Sequence, residues 1–342
     1  MKRAGTFLLV FCIAGATGAP AHSQVLVYSR GTRNIGMGEA GTADLAAPVN
    51  GYYNPAALAW TNGVYLEASY NKLLEQLKYT DMRITAGGSK GNILFGGLVG
   101  YSSEALDVDC TYFADPAQCD RLNYYLSGAA AVGRRMGNYS IGLGVAFKHV
   151  EEYTVAYTSF DMGAIASWSV TTQEGYALRA TIGTCLKNIG KDIEYFSESD
   201  PIEQFRENRF GFGMDISTPP HASASRILGR DVPGVGVRVL YDQVGGSSEL
   251  GYYLREASGF RFGFEASLFE TLYVRTGSRS TSYTYNSIKY SYLGFGIGYR
   301  HPQNGIVARL DYARKDYPAR TDEFYGENKY DHVYGLVLGK MF

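Results

Sequence analysis

From Gly63 onward the chain alternates apolar residues with small or polar ones at a period of two, and no stretch there sustains a helical period. In 139–150, Tyr139, Ile141, Leu143, Val145 and Phe147 share one face, while Ser140, Gly142, Gly144, Ala146 and Lys148 share the other. Phe210, Phe212, Met214 and Ile216 oppose Gly211, Gly213 and Asp215. Phe260, Phe262, Phe264, Ala266 and Leu268 oppose Arg261, Gly263, Glu265 and Ser267, and Leu293, Phe295, Ile297 and Tyr299 oppose Gly294, Gly296, Gly298 and Arg300. The pattern predicts strands over 63–71, 77–87, 91–102, 123–135, 139–151, 156–170, 176–187, 208–217, 233–243, 250–268, 271–284, 290–300, 305–315 and 331–342. The long 250–268 run leaves room for an extra turn at Ser258-Gly259.

A soluble sandwich alternates in the same way. Here, however, the non-apolar face is mostly Gly, Ala and Ser with single charges, not a Lys- and Glu-rich surface. Such a face suits an inner wall lying close to another piece of backbone. The last predicted strand runs to Phe342, and a terminal Phe is an assembly signal common to bacterial outer-membrane barrels; Lys340 stands on the same face, where an aromatic is usual. The fold class that follows is all-β: a transmembrane antiparallel barrel of about 14 strands, an even number that leaves both termini on the periplasmic side. Irregular stretches at 103–122, 188–207, 218–232 and 316–330 must avoid the hydrocarbon layer, because lipid cannot solvate unpaired backbone.

Ahead of the strands lies the one long mature segment without this alternation, 24–62. It is expected to be a plug-like segment with a short helix, because about 14 strands enclose a lumen too wide for small side chains to fill. Its Gly and Ala surfaces match the glycine-lined strands, with Asn54-Pro55 as a rigid turn delivering the chain to Gly63. The run Gly36-Met37-Gly38-Glu39-Ala40-Gly41 also satisfies the dinucleotide-binding pattern G-x-G-x-x-G. That reading fails: a buried strand must precede the motif, a helix must follow it, and an acidic residue must stand about 20 positions on.

The first 23 residues form an export signal: Lys2 and Arg3, an apolar core at Phe7–Ala14 too short to span a bilayer, and small residues Ala21 and Ser23 before the cleavage point. The barrel is then assigned to 63–342. Loss of Lys2 and Arg3 leaves 30 of the 32 basic residues against 33 acidic ones, a balance of −3 that gives no support for nucleic-acid binding. The chain's 29 Tyr and 17 Phe suit aromatic belts and lipid-facing surfaces, so lipid is the expected surrounding. Cys110 and Cys119 bracket a polar stretch whose spacing permits a loop disulfide in an oxidising compartment, whereas Cys185 sits within a strand pattern as a small packed residue.

Arg33, Gly36-Met37-Gly38, Asp44 and Asn54-Pro55-Ala56 together resemble the start of mature PorV/PorQ-family proteins, relatives of the FadL-type fatty-acid channels. The likeness continues in Asp161-Met162-Gly163, in Lys187-Asn188-Ile189-Gly190 and in Leu310-Asp311-Tyr312-Ala313, in family order. The N-terminal form is nearer to PorV, although Glu39 stands where a second small residue is common. The resemblance implies a FadL-like barrel in the outer membrane with a non-enzymatic role in type IX secretion. In that role its partners are the secretion translocon, a PorU-like sortase and the C-terminal signal domains of cargo. Extracellular loops would then form the binding surface, with candidates at 107–121, 192–208, 219–231 and 316–330. The alternative, by analogy with FadL, is a channel for hydrophobic small molecules, which needs an apolar lining that the Gly, Ser and charged faces do not display.

No enzyme chemistry is legible. The His residues (22, 149, 221, 301 and 332) have no metal-ligand spacing, and His149 falls near the end of an apolar alternation, as an interfacial residue would. Glu151-Glu152 and Asp107/Asp109 are carboxylate pairs best taken as solvated loop charge, and no Ser/His/Asp arrangement has a recognisable context. No cofactor or metal is implied.

Overall fold

The computed structural model describes residues 30–45, 50–73, 77–106, 123–152, 155–191, 206–247, 256–283, 287–317 and 330–342. The export segment, Cys110 and Cys119 lie outside them. Fourteen strands follow one another: β1 (Gly63–Leu73), β2 (Leu77–Lys90), β3 (Ile93–Leu106), β4 (Asn123–Met136), β5 (Tyr139–Glu152), β6 (Val155–Thr171) and β7 (Ala177–Gly190), then β8 (Arg206–Ser217), β9 (Val235–Ser247), β10 (Glu256–Leu268), β11 (Leu272–Tyr283), β12 (Ser287–Arg300), β13 (Ile306–Asp316) and β14 (Tyr330–Lys340). Each pairs antiparallel with its sequence neighbours, and β14 returns to β1 to close the barrel. Closure leaves no unpaired strand edge, which is what lets strands cross a hydrocarbon layer.

The alternation sorts side chains as the sequence predicts. Leu143, Val145 and Phe147 are exposed on the outside, while Gly142, Gly144, Ala146 and Lys148 face inward and are buried. Phe210, Phe212, Phe260, Phe262, Phe295 and Ile297 are likewise exposed outward. One expectation changes at Ser258-Gly259, which makes no turn: the chain there is strand β10, with a register shift against β11 between Glu256 and Ser258, and 250–255 lie outside the described residues. Another changes at the chain's end, where β14 stops at Lys340. Phe342 is 75% exposed beyond it, and its carbonyl accepts a hydrogen bond from Asn62 Nδ2 at 3.1 Å.

Strand direction also sorts the connections. Those at 91–92, 137–138, 172–176, 218–234, 269–271 and 301–305 share one end with the start of β1 and the finish of β14, the short-turn end that faces the periplasm in outer-membrane barrels. The 219–231 stretch is therefore not an extracellular loop, contrary to the expectation: β8 runs toward the periplasmic rim and β9 leaves it. The helix Ala222–Leu228 lies there, capped by His221 at its start and by left-handed Gly229 at its end.

The described residues from Arg30 to Thr61 lie inside the barrel, nearly all of them buried. After a short α-helix at Thr32–Gly36 the chain turns, and Gly38 and Glu39 both take left-handed φ values, 67° and 64°. The expected Asn54-Pro55 turn is instead the entry to a 3₁₀ helix, Pro55–Trp60. Proline's fixed φ suits the first helical position, and Asn54 caps the helix by accepting from the Ala56 N–H at 3.0 Å. From Trp60 back to Thr32 the segment makes a circuit of the inner wall. Leu58 lies on Gly96 of β3, Pro55 on Gly144 of β5, Asn54 on Gly163 of β6, and Thr42 on Gly183 of β7 and Gly211 of β8. Met37 then lies on Gly263 of β10, Gly38 on Gly277 of β11, Gly36 on Gly294 of β12 and Thr32 on Gly335 of β14. A Cβ on Gly263 would sit 2.5 Å from the Met37 carbonyl oxygen, and one on Gly294 would sit 3.1 Å from the Gly36 Cα. Glycine is required most strictly where the neighbour is backbone, as at Gly96, Gly144, Gly183, Gly263, Gly277 and Gly294, because backbone cannot move aside as a side chain can.

A Cβ branch at one of these contacts is therefore expected to break the seal. Gly277→Val, driven into the Met37–Gly38 backbone, should destabilise the folded barrel by at least about 1–3 kcal/mol. Gly128→Ala, with open space around it, should not. The fraction of unheated protein migrating as the folded form across a urea series measures both, and equal behaviour of the two variants would refute the close-packing account.

Candidate functional site in the sealed lumen

The single charges on the inner faces do not stand alone. Arg33, in the internal segment, makes a two-bond contact with Glu265 of β10 (Nε–Oε2 3.0 Å, Nη2–Oε1 2.9 Å) and also pairs with Asp44. Glu265 is shared further with Arg275 of β11 at 2.6 Å and Arg238 of β9 at 2.9 Å. Arg238 continues to Asp215 of β8, and Asp215 to Arg179 of β7 at 2.5 Å. In the other direction Arg275 meets Asp311 of β13 at 2.7 Å, and Arg309 joins the same carboxylate at 2.7 Å. The result is a band of alternating charge along the wall, into which Arg33 inserts from the segment. Burial alone would lower the Arg33 pKa, but the facing carboxylates of Asp44 and Glu265 outweigh it and hold the guanidinium well above its ordinary value.

Two further ties are made by neutral or backbone donors. Asp242 of β9 accepts from the Gly41 N–H at 2.9 Å, from the Thr42 N–H at 3.0 Å and from Thr42 Oγ1 at 2.8 Å. Asn54 Nδ2 donates to the carbonyls of Thr42 (2.9 Å), Ala164 on β6 (3.2 Å) and Thr184 on β7 (3.1 Å). Asn54 thus joins both halves of the internal segment to two strands at once. Glu39, the departure from the small-residue pattern, is held by Arg279 at 2.9 Å and by the Tyr292 hydroxyl at 2.8 Å. Those contacts offset the cost of a left-handed, non-glycine residue.

The strand motifs also find neighbours. Asp161 sits where the register between β6 and β7 shifts, accepting from the Asn188 N–H at 2.8 Å and pairing with Lys148 at 2.5 Å. Lys148 Nζ in turn donates to Asn188 Oδ1 at 2.8 Å. Asn188 adopts φ 59°, a conformation that Asn tolerates better than most residues. Lys187 is buried with its Nζ 4.0 Å from the centre of the Tyr52 ring. Gly163 provides the space for Asn54, and Gly190 closes β7 opposite Ser159.

Arg33, Gly36, Met37, Gly38, Asp44, Asn54, Pro55 and Ala56 are all buried in the internal segment. Asp311 joins the charge band, but the adjacent Tyr312 points the other way, with Tyr334 and His332. Phe342 lies apart from all of them. Sequence reading missed the acceptors: Glu265 was legible as a single inner-face charge, but the partners of Glu265 and Asp242 in the internal segment lie 200 or more positions away. It also missed an inward row at the extracellular end, Tyr125 of β4 opposite Val150 of β5 opposite Tyr157 of β6, all buried. Period-two counting through Val150 carries the signal for that row.

The described residues define an outer-membrane-type barrel of fourteen strands closed from within by its own N-terminal segment. No family model matches the chain, and no curated sequence matches it. Solved structures do. The CymD monoaromatic hydrocarbon channel has 10% sequence identity and a TM-score of 0.51, over 94% of this chain and 99% of that one. A Pseudomonas aeruginosa FadL homologue has 10% identity and a TM-score of 0.51, over 95% of this chain and all (100%) of that one. At that identity the likeness is one of fold, and the fold is the FadL-like outer-membrane barrel.

Removal of one partner from the charge band should be costly. Arg33→Met leaves two carboxylates facing its former place, and Glu265→Gln leaves three guanidinium groups sharing a neutral amide. Each is expected to lower stability by about 3–5 kcal/mol, because a buried charge that loses its partner keeps its desolvation cost. Urea unfolding followed by tryptophan fluorescence measures the loss; a change under about 1 kcal/mol in both variants would show that the band is not holding the segment.

Proposed function

We propose that this barrel carries small hydrophobic molecules across the outer membrane and is sealed at rest by its N-terminal segment. The observation that carries the reading is the closure itself. Between Gly51-Tyr52 and the wall the cavity has a volume of about 10 Å³, room for about one water. A hydrated solute has no room at that point, so a passenger there must be bound and handed on. The FadL-like fold, shared with a channel for monoaromatic hydrocarbons, supports an apolar passenger. The inward row Tyr125–Val150–Tyr157 supplies an apolar wall at the extracellular end, where such a molecule would first arrive.

The secretion reading rests on the PorV/PorQ-like motifs, and those residues are internal. Arg33, Asp44, Asn54, Asp161 and Asn188 are each at most 2% exposed, and a surface that meets cargo is built from other residues. No observation made on the barrel favours that reading over the channel.

Reconstituted protein is expected to give no liposome swelling in arabinose beyond that of empty vesicles, while native mass spectrometry retains a fatty-acid or detergent-like ligand. Val150→Asp should weaken that binding at least about tenfold, since it sets a carboxylate into an apolar wall. Sugar-driven swelling, or a purified barrel that retains no hydrophobic ligand, would overturn the proposal.

A further inference from the structure

The outer face of the wall carries an arrangement that neither the seal nor passage of a hydrophobic molecule uses. Across β1, β14 and β13 the strand register sets outward side chains in rows. Leu66, Leu338 and Ala308 form one row, and Ala68, Leu336 and Leu310 the next. Tyr70, Tyr334 and Tyr312 follow, and beyond them stand Lys72, His332 and Arg314.

That order has a direction. β1 leaves the periplasmic rim, so the rows pass from aliphatic to aromatic to nitrogen-bearing toward the extracellular end. At the other end of β14, Lys340 closes the same apolar run. An apolar band edged by aromatic rings is where a hydrocarbon layer meets its headgroups. The row of Lys72, His332 and Arg314 therefore lies at headgroup height on the outer-leaflet side. Other sectors end differently: across β3, β4 and β5 the row near the extracellular end is Ser103, Tyr124 and Glu151, with an acid and no cation.

The three side chains are set up for a partner outside the chain. Arg314 lies over the Tyr330 ring, 4.7 Å from its centre, and Asp316 holds its Nε at 2.7 Å and its Nη2 at 3.0 Å. These contacts fix the guanidinium plane and leave Nη1 to donate elsewhere. His332 Nδ1 is engaged by the Tyr312 hydroxyl at 3.0 Å; with that hydroxyl as donor, the ring proton sits on Nε2. Lys72 is exposed, and its register partners are His332 and Lys78, so no acid stands opposite it. Among the described residues of this patch Asp316 is the one carboxylate, and it balances Arg314 alone. Neighbouring strands lie about 5 Å apart, which puts the backbones of Lys72 and Arg314 about 10 Å apart with His332 between them. Two long side chains close that gap. Three such donors suit a tetrahedral oxyanion with several acceptor oxygens. The aliphatic rows directly below define what carries it, a phosphate attached to acyl chains.

We propose that the outer face of β1, β14 and β13 binds the phosphate of an outer-leaflet glycolipid, with its acyl chains against Leu310, Leu336 and Leu338.

Native mass spectrometry of the full mature chain in mild detergent tests this, with diphosphorylated lipid A as the probe. At equal concentration it should be retained at least about tenfold better than its dephosphorylated form. Lys72→Gln combined with Arg314→Gln should remove that preference, while Lys340→Gln, which takes a cation from the periplasmic rim of the same face, should keep it. Lys72→Gln alone should weaken the preference and is the variant to use where the pair does not fold. Equal retention of the two lipid forms, an unchanged preference in the double variant, or a second copy of the chain cross-linked to this face in place of lipid would overturn the proposal.

Discussion

Everything inside this barrel depends on backbone meeting backbone at glycine. Fourteen strands paired edge to edge enclose a space that Gly, Ala and Ser side chains cannot fill. The chain fills it with its own N-terminal segment, laid around the wall so that β3, β5 to β8, β10 to β12 and β14 each offer a glycine where its described residues pass. At that distance side-chain complementarity is not available, and the contact is specified by the absence of Cβ atoms. The same glycines explain why the inner face looks so unlike a solvated surface: it is an internal interface, read one strand at a time.

Close packing brings a second constraint. Where backbone lies on backbone, water is excluded, and the wall's charges lose their solvent. The band from Arg179 through Asp215, Arg238, Glu265, Arg275 and Asp311 is the response, each carboxylate serving two or three guanidinium groups. Arg33 enters this band from the segment, so one side chain belongs to both partners of the interface. Buried pairs of this kind add little net stability over an apolar core, but they penalise every arrangement in which a partner is missing. They therefore fix the register of the segment against the wall more than they strengthen it. Asp242 and Asn54 act in the same sense, because their acceptors and donors are backbone groups whose positions are set by the fold.

Much of this was legible in the chain. Period two gave all the strands to within a few residues, because a lipid-facing side and a glycine-lined side differ so sharply at neighbours such as Leu143 and Gly144. Counting those strands also fixes which connections face the periplasm, and the 219–231 stretch was misplaced only because its length was allowed to outweigh its position between β8 and β9. The 3₁₀ helix after Asn54 was hidden by Asn-Pro, a pair equally at home in a turn and at a helix start. The ion pairs were not legible: Arg33 and Glu265 are 232 positions apart, and no local pattern carries a contact of that range. Glu39 looked like a flaw in a small-residue motif because its partners, Arg279 and Tyr292, are equally remote.

These ties constrain how a sealed barrel could pass anything at all. Withdrawal of the whole segment would break the Arg33–Glu265 pair and the hydrogen bonds to Asp242 together, although Arg275 and Arg238 would stay with Glu265. These ties are lost all at once if the segment leaves as a cork, and only in part if one stretch of it moves, so partial movement is the less costly step. Local movement is therefore favoured, and the sides of the lumen are not equivalent. The Glu265 side is held by paired charges. The Tyr52 side is held by cations over an aromatic ring and by a cavity with unsatisfied donors, next to the apolar row Tyr125–Val150–Tyr157. Displacement that begins at Tyr52 breaks no salt bridge of the band and opens toward the one apolar wall identified at the extracellular end. The surface suited to a hydrophobic molecule thus lies on the side of the seal away from Glu265.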